Sequence, residues 1–213
     1  MIAPQTKPIS FEEFLEWYPD DGKRYELIEG VVVEMLPTGS HEDIAGFLVA
    51  ELNFEIRRQN LPYSIPKNCL LKPLAARSGY LPDVAVINRE CIKDELLWQK
   101  SSVIQDGQTV PLIIEVVLKD TASHISTNWR DDYGHKFVEY EAMEIAEYWI
   151  VDYRALGAVR YIGKPKQPTI TICKLVEGEY QMEKFIKGEI LQSQVFPELE
   201  LTAEAIFSAI SIT

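Results

Sequence analysis

The chain has little of several things, and each shortage excludes something. Its 213 residues include three cysteines, Cys69, Cys91 and Cys173, with no Cys-x-x-Cys pair. An odd, widely spaced set argues against a disulfide framework or a structural zinc site, and leaves idle or buried thiols as the expectation. Positive charge is short: 21 Lys+Arg stand against 33 Asp+Glu, a formal net charge of −12. That balance opposes non-specific binding to nucleic acid and to anionic membranes. A polyanion would need a local basic cleft or bound metal ions. Long apolar runs are missing as well. The strongest, residues 111–118, contains Glu115 and falls well short of the ~18 residues of a membrane span. The opening MIAPQTKPIS has neither a basic n-region nor an apolar h-region, so a secretory signal is not expected and a cytoplasmic location is. There is no GxxxxGK[ST], GxGxxG, HExxH or GxSxG motif, and no repeat or low-complexity linker.

What is present is an ordinary globular composition, 46% hydrophobic and 25% charged. A chain of this length buries roughly 70% of its unfolded surface. One α/β (α+β) domain over 1–213 is expected, with its core at 10–205 and an irregular excursion at 88–109. Residues 10–18 read as a helix, with Ser10 and Glu13 at capping-box spacing. Residues 24–28 and 31–35 read as a hairpin around Glu29-Gly30. Ser40 is expected to open a long amphipathic helix carrying Ile44, Phe47, Leu48, Leu52 and Ile56, ended by Leu61-Pro62. Strand-like runs follow at 63–65, 68–72 and 80–87, and a short helix is expected near 94–99. The continuous run 111–118 has the pattern of a central strand covered on both faces. A second amphipathic helix spans about 129–143, followed by a strand at 147–151. A β-meander is expected from 159–162, 169–176, 179–185 and a run near Ile190, with a helix over 202–209 closing the chain. Tyr148 and Trp149 read as core.

Two carboxylates stand in unusual surroundings. Glu115 interrupts an apolar strand, where a carboxylate costs several kcal/mol unless it is paired or bound to a metal. Asp83 enters another β-rich run. If the two strands are antiparallel neighbours, both acids can share one Mg²⁺, an ion held by one or two carboxylates and several waters. The alternatives are a turn role for Asp83 and a buried Arg or Lys partner for Glu115. Lys136 lies on the following helix beside Tyr133 and Tyr140. It either reaches solvent or places a cation where a reacting phosphate develops charge.

An ordered set of motifs, Arg24-Tyr25-Glu26-Leu27-Ile28-Glu29-Gly30, Ser40-His41, Pro82-Asp83, Glu115-Val116-Val117, Asn128-Trp129-Arg130-Asp131-Asp132-Tyr133, Lys136, Tyr140-Glu141-Ala142 and Glu147-Tyr148-Trp149-Ile150-Val151-Asp152, resembles the Uma two family of endonucleases. That family belongs to the restriction-endonuclease-like PD-(D/E)XK superfamily. The resemblance implies a central mixed β-sheet flanked by helices, two acidic ligands for Mg²⁺ or Mn²⁺ at Asp83 and Glu115, and an assisting lysine. The signature places lysine two residues after the second acid, and here that residue is Val117. Lys119 and Lys136 are the candidates, and the family pattern points to Lys136. Glu26 is the candidate for an additional acid near the metal, or else a charged edge-strand residue. His41 either reaches a phosphate or is a surface histidine of the helix start. His124 and His135 have no ligand spacing and are expected in solvent. Arg130 either contacts a phosphate or pairs with Asp131 or Asp132, the pair being favoured.

The implied activity is metal-dependent hydrolysis of DNA phosphodiester bonds, with DNA as substrate, a homodimer as assembly and no membrane association. The rival is a catalytically inactive nuclease-fold protein acting as a binding or assembly module. A cleft rimmed by Lys67, Lys72, Arg77, Arg130 or Lys136 would favour the enzyme, and an acidic or occluded one the module.

Overall fold

The computed structural model describes residues 7–75, 77–118 and 129–210. Helix α1 (Phe11–Trp17) opens with the expected capping box: Glu13 N donates to Ser10 Oγ (3.1 Å) while Ser10 N donates to Glu13 Oε2 (2.7 Å). It buries Phe11 and Phe14 against Tyr25 and Leu27 of the hairpin β1 (Arg24–Ile28) and β2 (Val31–Met35). Glu29 and Gly30 turn that hairpin with φ of 49° and 85°, the left-handed pair a tight hairpin demands.

Helix α2 (Gly39–Arg58) starts one residue before the expected Ser40, because Thr38 is the cap: its side chain accepts from His41 N at 3.4 Å. Short strands β3 (Tyr63–Ser64) and β4 (Leu70–Leu71) precede β5 (Val84–Asn88). The excursion at 88–109 holds a 3₁₀ turn (Ile92–Asp94), helix α3 (Trp98–Ser101) and β6 (Val103–Ile104), which pairs in parallel with β4. Strand β7 (Leu112–Val116) is buried throughout, as its apolar run required. The next helix begins with a π turn, Asp131–His135, and continues as α4 (Lys136–Ala142).

Then come β8 (Glu147–Asp152), α5 (Val159–Ile162), the hairpin β9 (Thr169–Val176) and β10 (Glu179–Phe185), and α6 (Ala203–Phe207). Two strand expectations fail here. Residues 159–162 form a helical turn, and Ile190 makes only an isolated bridge to Thr202. The closing helix expected over 202–209 is present as Ala203–Phe207, capped by Thr202.

The sheet order is β10-β9-β8-β7-β5-β3, with β7 and β8 parallel and the other pairs antiparallel, so the mixed sheet expected from the sequence is present. Strand alternation sorts the residues by face. Ile114, Val116, Trp149 and Val151 join α2 and the C-terminal segment in one core. Ile113, Val117, Tyr148 and Ile150 join Tyr133, Tyr140 and Met143 in the other. Glu115 has the parity of Ile113 and Val117, and Asp83 that of Ala85 and Ile87, so both acids point toward the helix carrying Lys136. The three cysteines are free, Cys69 and Cys173 being buried.

Candidate active site

The antiparallel register of β5 and β7 pairs Val84 with Ile114, so Asp83 and Glu115 face one another one step further along. Asp83 Oδ2 accepts from Val116 N at 2.8 Å and lies 3.0 Å from His41 Nε2. Glu115 Oε1 accepts from the Tyr140 hydroxyl at 2.8 Å, and its Oε2 lies 3.0 Å from Lys136 Nζ. The hairpin delivers Glu26, which Leu27 fixes through paired backbone bonds to Gly79 at 2.8 Å each. Glu26 Oε1 accepts from Leu81 N at 2.9 Å and lies 3.1 Å from Lys136 Nζ. Asp132, one helical turn before Lys136, places Oδ1 3.8 Å from the same ammonium. Asp83, Glu115, Glu26, Lys136 and His41 are therefore brought to one point from five separate elements.

All of these groups are buried: Glu26 and Lys136 are 0% exposed, Glu115 and His41 2%, and Asp132 4%. Burial opposes the Lys136 charge, but Glu115, Glu26, Asp132 and Asp83 outweigh it and hold its pKa well above the ordinary value. Burial raises Glu115 to about 7, with Lys136 pulling the other way. Burial also raises Glu26, and it lifts Asp132 well above its usual range. Asp83 differs: burial would raise it, but the charge and hydrogen bond of His41 win and lower it. His41 is raised in return, Asp83 overcoming the effect of burial. Two neighbouring carboxyls, Asp83 and Glu115, are thus shifted in opposite directions, Asp83 down by His41 and Glu115 up by burial.

Several expectations change. His41 is not a surface residue; the first turn of α2 directs it inward onto Asp83. The favoured pairing of Arg130 is not among the changes: Arg130 is exposed with its guanidinium 4.8 Å from the Trp129 ring centre, Asp132 lies 3.8 Å from Lys136, and Asp131 lies 3.2 Å from His135. Of the cations whose rim would favour the enzyme, Lys136 alone has a described ion pair with these acids. Lys136 lies inside the cluster and Lys72 binds Glu12 at 2.7 Å. No ion pair among the described residues joins the exposed Lys67 or Arg77 to the acids. Lys119 and His124 lie outside the described residues. Sequence reasoning missed Asp132 and Tyr140 as members. The signal was there in their i−4 and i+4 spacing from Lys136.

The donors suit a hard divalent cation in kind: all are carboxylate oxygens. Glu26 Oε2 is buried with no hydrogen-bond partner among the described residues. In spacing, however, no three His, Cys, Asp or Glu side chains among the described residues are grouped to hold an ion. The Lys136 ammonium stands among the carboxylates instead.

No helix among the described residues is long and apolar enough to cross a membrane. No curated protein matches the chain. Among solved structures, it is similar to a chain from Anabaena variabilis ATCC 29413 described as "a putative nuclease belonging to DUF820". Identity is 18% and the TM-score 0.67, covering 95% of this chain and 99% of that one; this likeness establishes the fold. The family described as "Uma2: Putative restriction endonuclease" matches residues 11–204, a span that contains every side chain of the buried cluster, and the chain belongs to the Uma2 family.

Proposed function

We propose that this protein is a metal-dependent endonuclease that hydrolyses DNA phosphodiester bonds. The observation that carries the reading is the convergence of Asp83, Glu115, Glu26 and Lys136 from four separate elements. Four buried carboxyls, with Asp132, face one lysine and one histidine, an excess of negative charge that calls for a further cation. Asp83 and Glu115 would hold Mg²⁺ or Mn²⁺, with Glu26 supporting it. When bound, such an ion supplies an activated water and neutralises charge on the phosphate. Lys136, kept protonated by its neighbours, donates hydrogen bonds: it orients the attacking water and stabilises the oxygens on which charge develops. His41 holds Asp83 ionised and fixed in orientation through Oδ2.

The rival reading, an inactive binding or assembly module, draws on the occlusion of the cluster and on the pairing of Lys136 with its acids. Calorimetric titration with Mn²⁺ separates the two. Wild type is expected to bind, and Glu115→Ala or Asp83→Asn/Glu115→Gln to lose binding; cleavage of duplex DNA is then read with wild type. Unchanged Mn²⁺ affinity in Glu115→Ala would sink the site assignment, and absence of binding in wild type would put the module first.

A homodimer is part of the proposal, since β10 ends the sheet with one edge unpaired among the described residues and such edges are usually covered. Sedimentation should give twice the 24.4 kDa chain mass; a particle of one chain mass overturns it.

A further inference from the structure

A protein with net charge −12 is a poor ligand for a polyanion unless its cations are concentrated. They are concentrated in one place. Between Asp152 and Glu177 the sequence has no acidic residue, and it carries Arg154, Arg160, Lys164, Lys166 and Lys174. Lys174 is committed to Glu183 at 2.6 Å. The other four are exposed, and among the described residues none has a carboxylate partner. Lys166 Nζ donates to Leu156 O (3.3 Å) and Lys184 Nζ to Arg160 O (3.2 Å), so one of the four and one further ammonium group are fastened to the backbone of this segment.

The segment is firmly built. Asp152, at the end of β8, accepts from Leu156 N (2.9 Å) and Gly157 N (2.7 Å). Tyr161 stacks on Tyr133 with ring centres 4.5 Å apart and planes 16° apart, and meets Trp129 edge-on at 6.4 Å. The guanidinium of Arg160 lies 4.6 Å from the Tyr161 ring, and that of Arg130 lies 4.8 Å from Trp129. The result is a row of arginines and aromatic rings flanked by cations. Tyr133 adjoins Asp132 and lies three residues before Lys136. Val117 N donates to Val151 O at 3.0 Å, so the basic segment leaves the sheet beside the end of the strand that carries Glu115.

We propose that Arg154, Arg160, Lys164 and Lys166, with Tyr161 and Arg130 beside them, form the surface that binds the DNA phosphate backbone; this rests on the nuclease reading and supplies its substrate-binding site. The cations contact phosphates, and the Tyr133–Tyr161 stack fixes the spacing between them and the buried cluster. A membrane is the poorer partner, because the exposed large apolar side chains needed to anchor in lipid are limited, among the described residues of this segment, to Val159 and Val176 at 47% and 41% exposure.

The test measures anisotropy of a fluorescein-labelled DNA duplex against salt, in EDTA, for the full chain and for Arg154→Ala/Arg160→Ala/Lys164→Ala/Lys166→Ala. An Arg154→Gln/Lys164→Gln pair is included in case the fourfold variant is less stable. The expected result is at least about tenfold weaker binding in the fourfold variant, with the slope of log affinity against log salt reduced by about 1 per residue removed. Mn²⁺ affinity should be unchanged, because none of the four touches the acids. Equal affinity and slope in wild type and both variants overturns the surface and leaves the acid cluster standing on its Mn²⁺ titration. The surface is overturned as well if wild type binds no duplex, or if the variants lose binding only to phosphatidylserine vesicles.

Discussion

Burial alone would strip the proton from Lys136 and place one on Glu115 and on Asp132. Mutual proximity reverses the first tendency, and Glu115 is left poised near 7. The consequence for stability follows from linkage. A carboxyl that titrates near 7 when folded and near 4.5 when exposed favours the fold below 4.5, and that contribution is lost as pH rises through 7. Glu26, Asp132 and His41 are raised too and act in the same direction. Asp83 is lowered, so its contribution disappears only on acidification below its ordinary 3.8. The melting temperature of metal-free protein should therefore fall from pH 5 to pH 8, and Glu115→Gln, which keeps an acceptor for Tyr140, should flatten that fall. Lys136→Met leaves its carboxyls without their cation. Urea denaturation at pH 8 should show it destabilised by about 3–5 kcal/mol, and by less at pH 5, where the acids take up protons. Equal losses at both pH values would mean that packing, and not charge, holds Lys136 in place.

The elements show where local pattern was enough and where it was not. Ser10 and Glu13 capped α1 as their spacing required, and β7 was buried because its residues are apolar on both faces. Ser40 misled because Thr38, another good capping residue, stands two positions earlier and takes the role. Thr38→Ala should destabilise the fold by about 1 kcal/mol; the readout is the denaturation midpoint at constant slope. An unaffected midpoint would assign the cap to backbone or solvent. Residues 159–162 are four residues of mixed polarity, a pattern that fits one helical turn as well as the expected strand. The tie was broken by the aromatic contacts of Tyr161 with Trp129 and Tyr133. The π turn at Asp131–His135 had no signature in the helical period. It inserts an extra residue into the turn just where Asp132 and Lys136 must face the same way.

At the scale of the whole molecule, the C-terminal segment is not an appendage. Leu191, Phe196, Leu201 and Ile206 share one core with α2 and the sheet. Glu147, buried in β8, accepts from Trp149 Nε1 (2.5 Å), Ser193 Oγ (2.6 Å) and Gln194 N (2.6 Å). A chain ending at residue 185 exposes that core and removes the Ser193 and Gln194 donors from a buried carboxylate. It should show no cooperative thermal transition by near-ultraviolet circular dichroism; a sharp transition near that of the full chain would show that the segment is dispensable. Charge is likewise a whole-chain property with a local exception, acidic in total and basic between Asp152 and Glu177.

The sequence by itself determined the elements with strong periodicity or complete caps, the central buried strand, and the anomaly of a glutamate inside it. These depend on contacts within a few residues, and the side-chain pattern records them directly. Tertiary structure alone decided that Lys136 meets Glu26 and Glu115 at 3.1 and 3.0 Å and that His41 turns inward to Asp83. Those meetings join a hairpin, two antiparallel strands and two helices far apart along the chain. Each is stable only because the others bury it, which no local stretch of sequence can record.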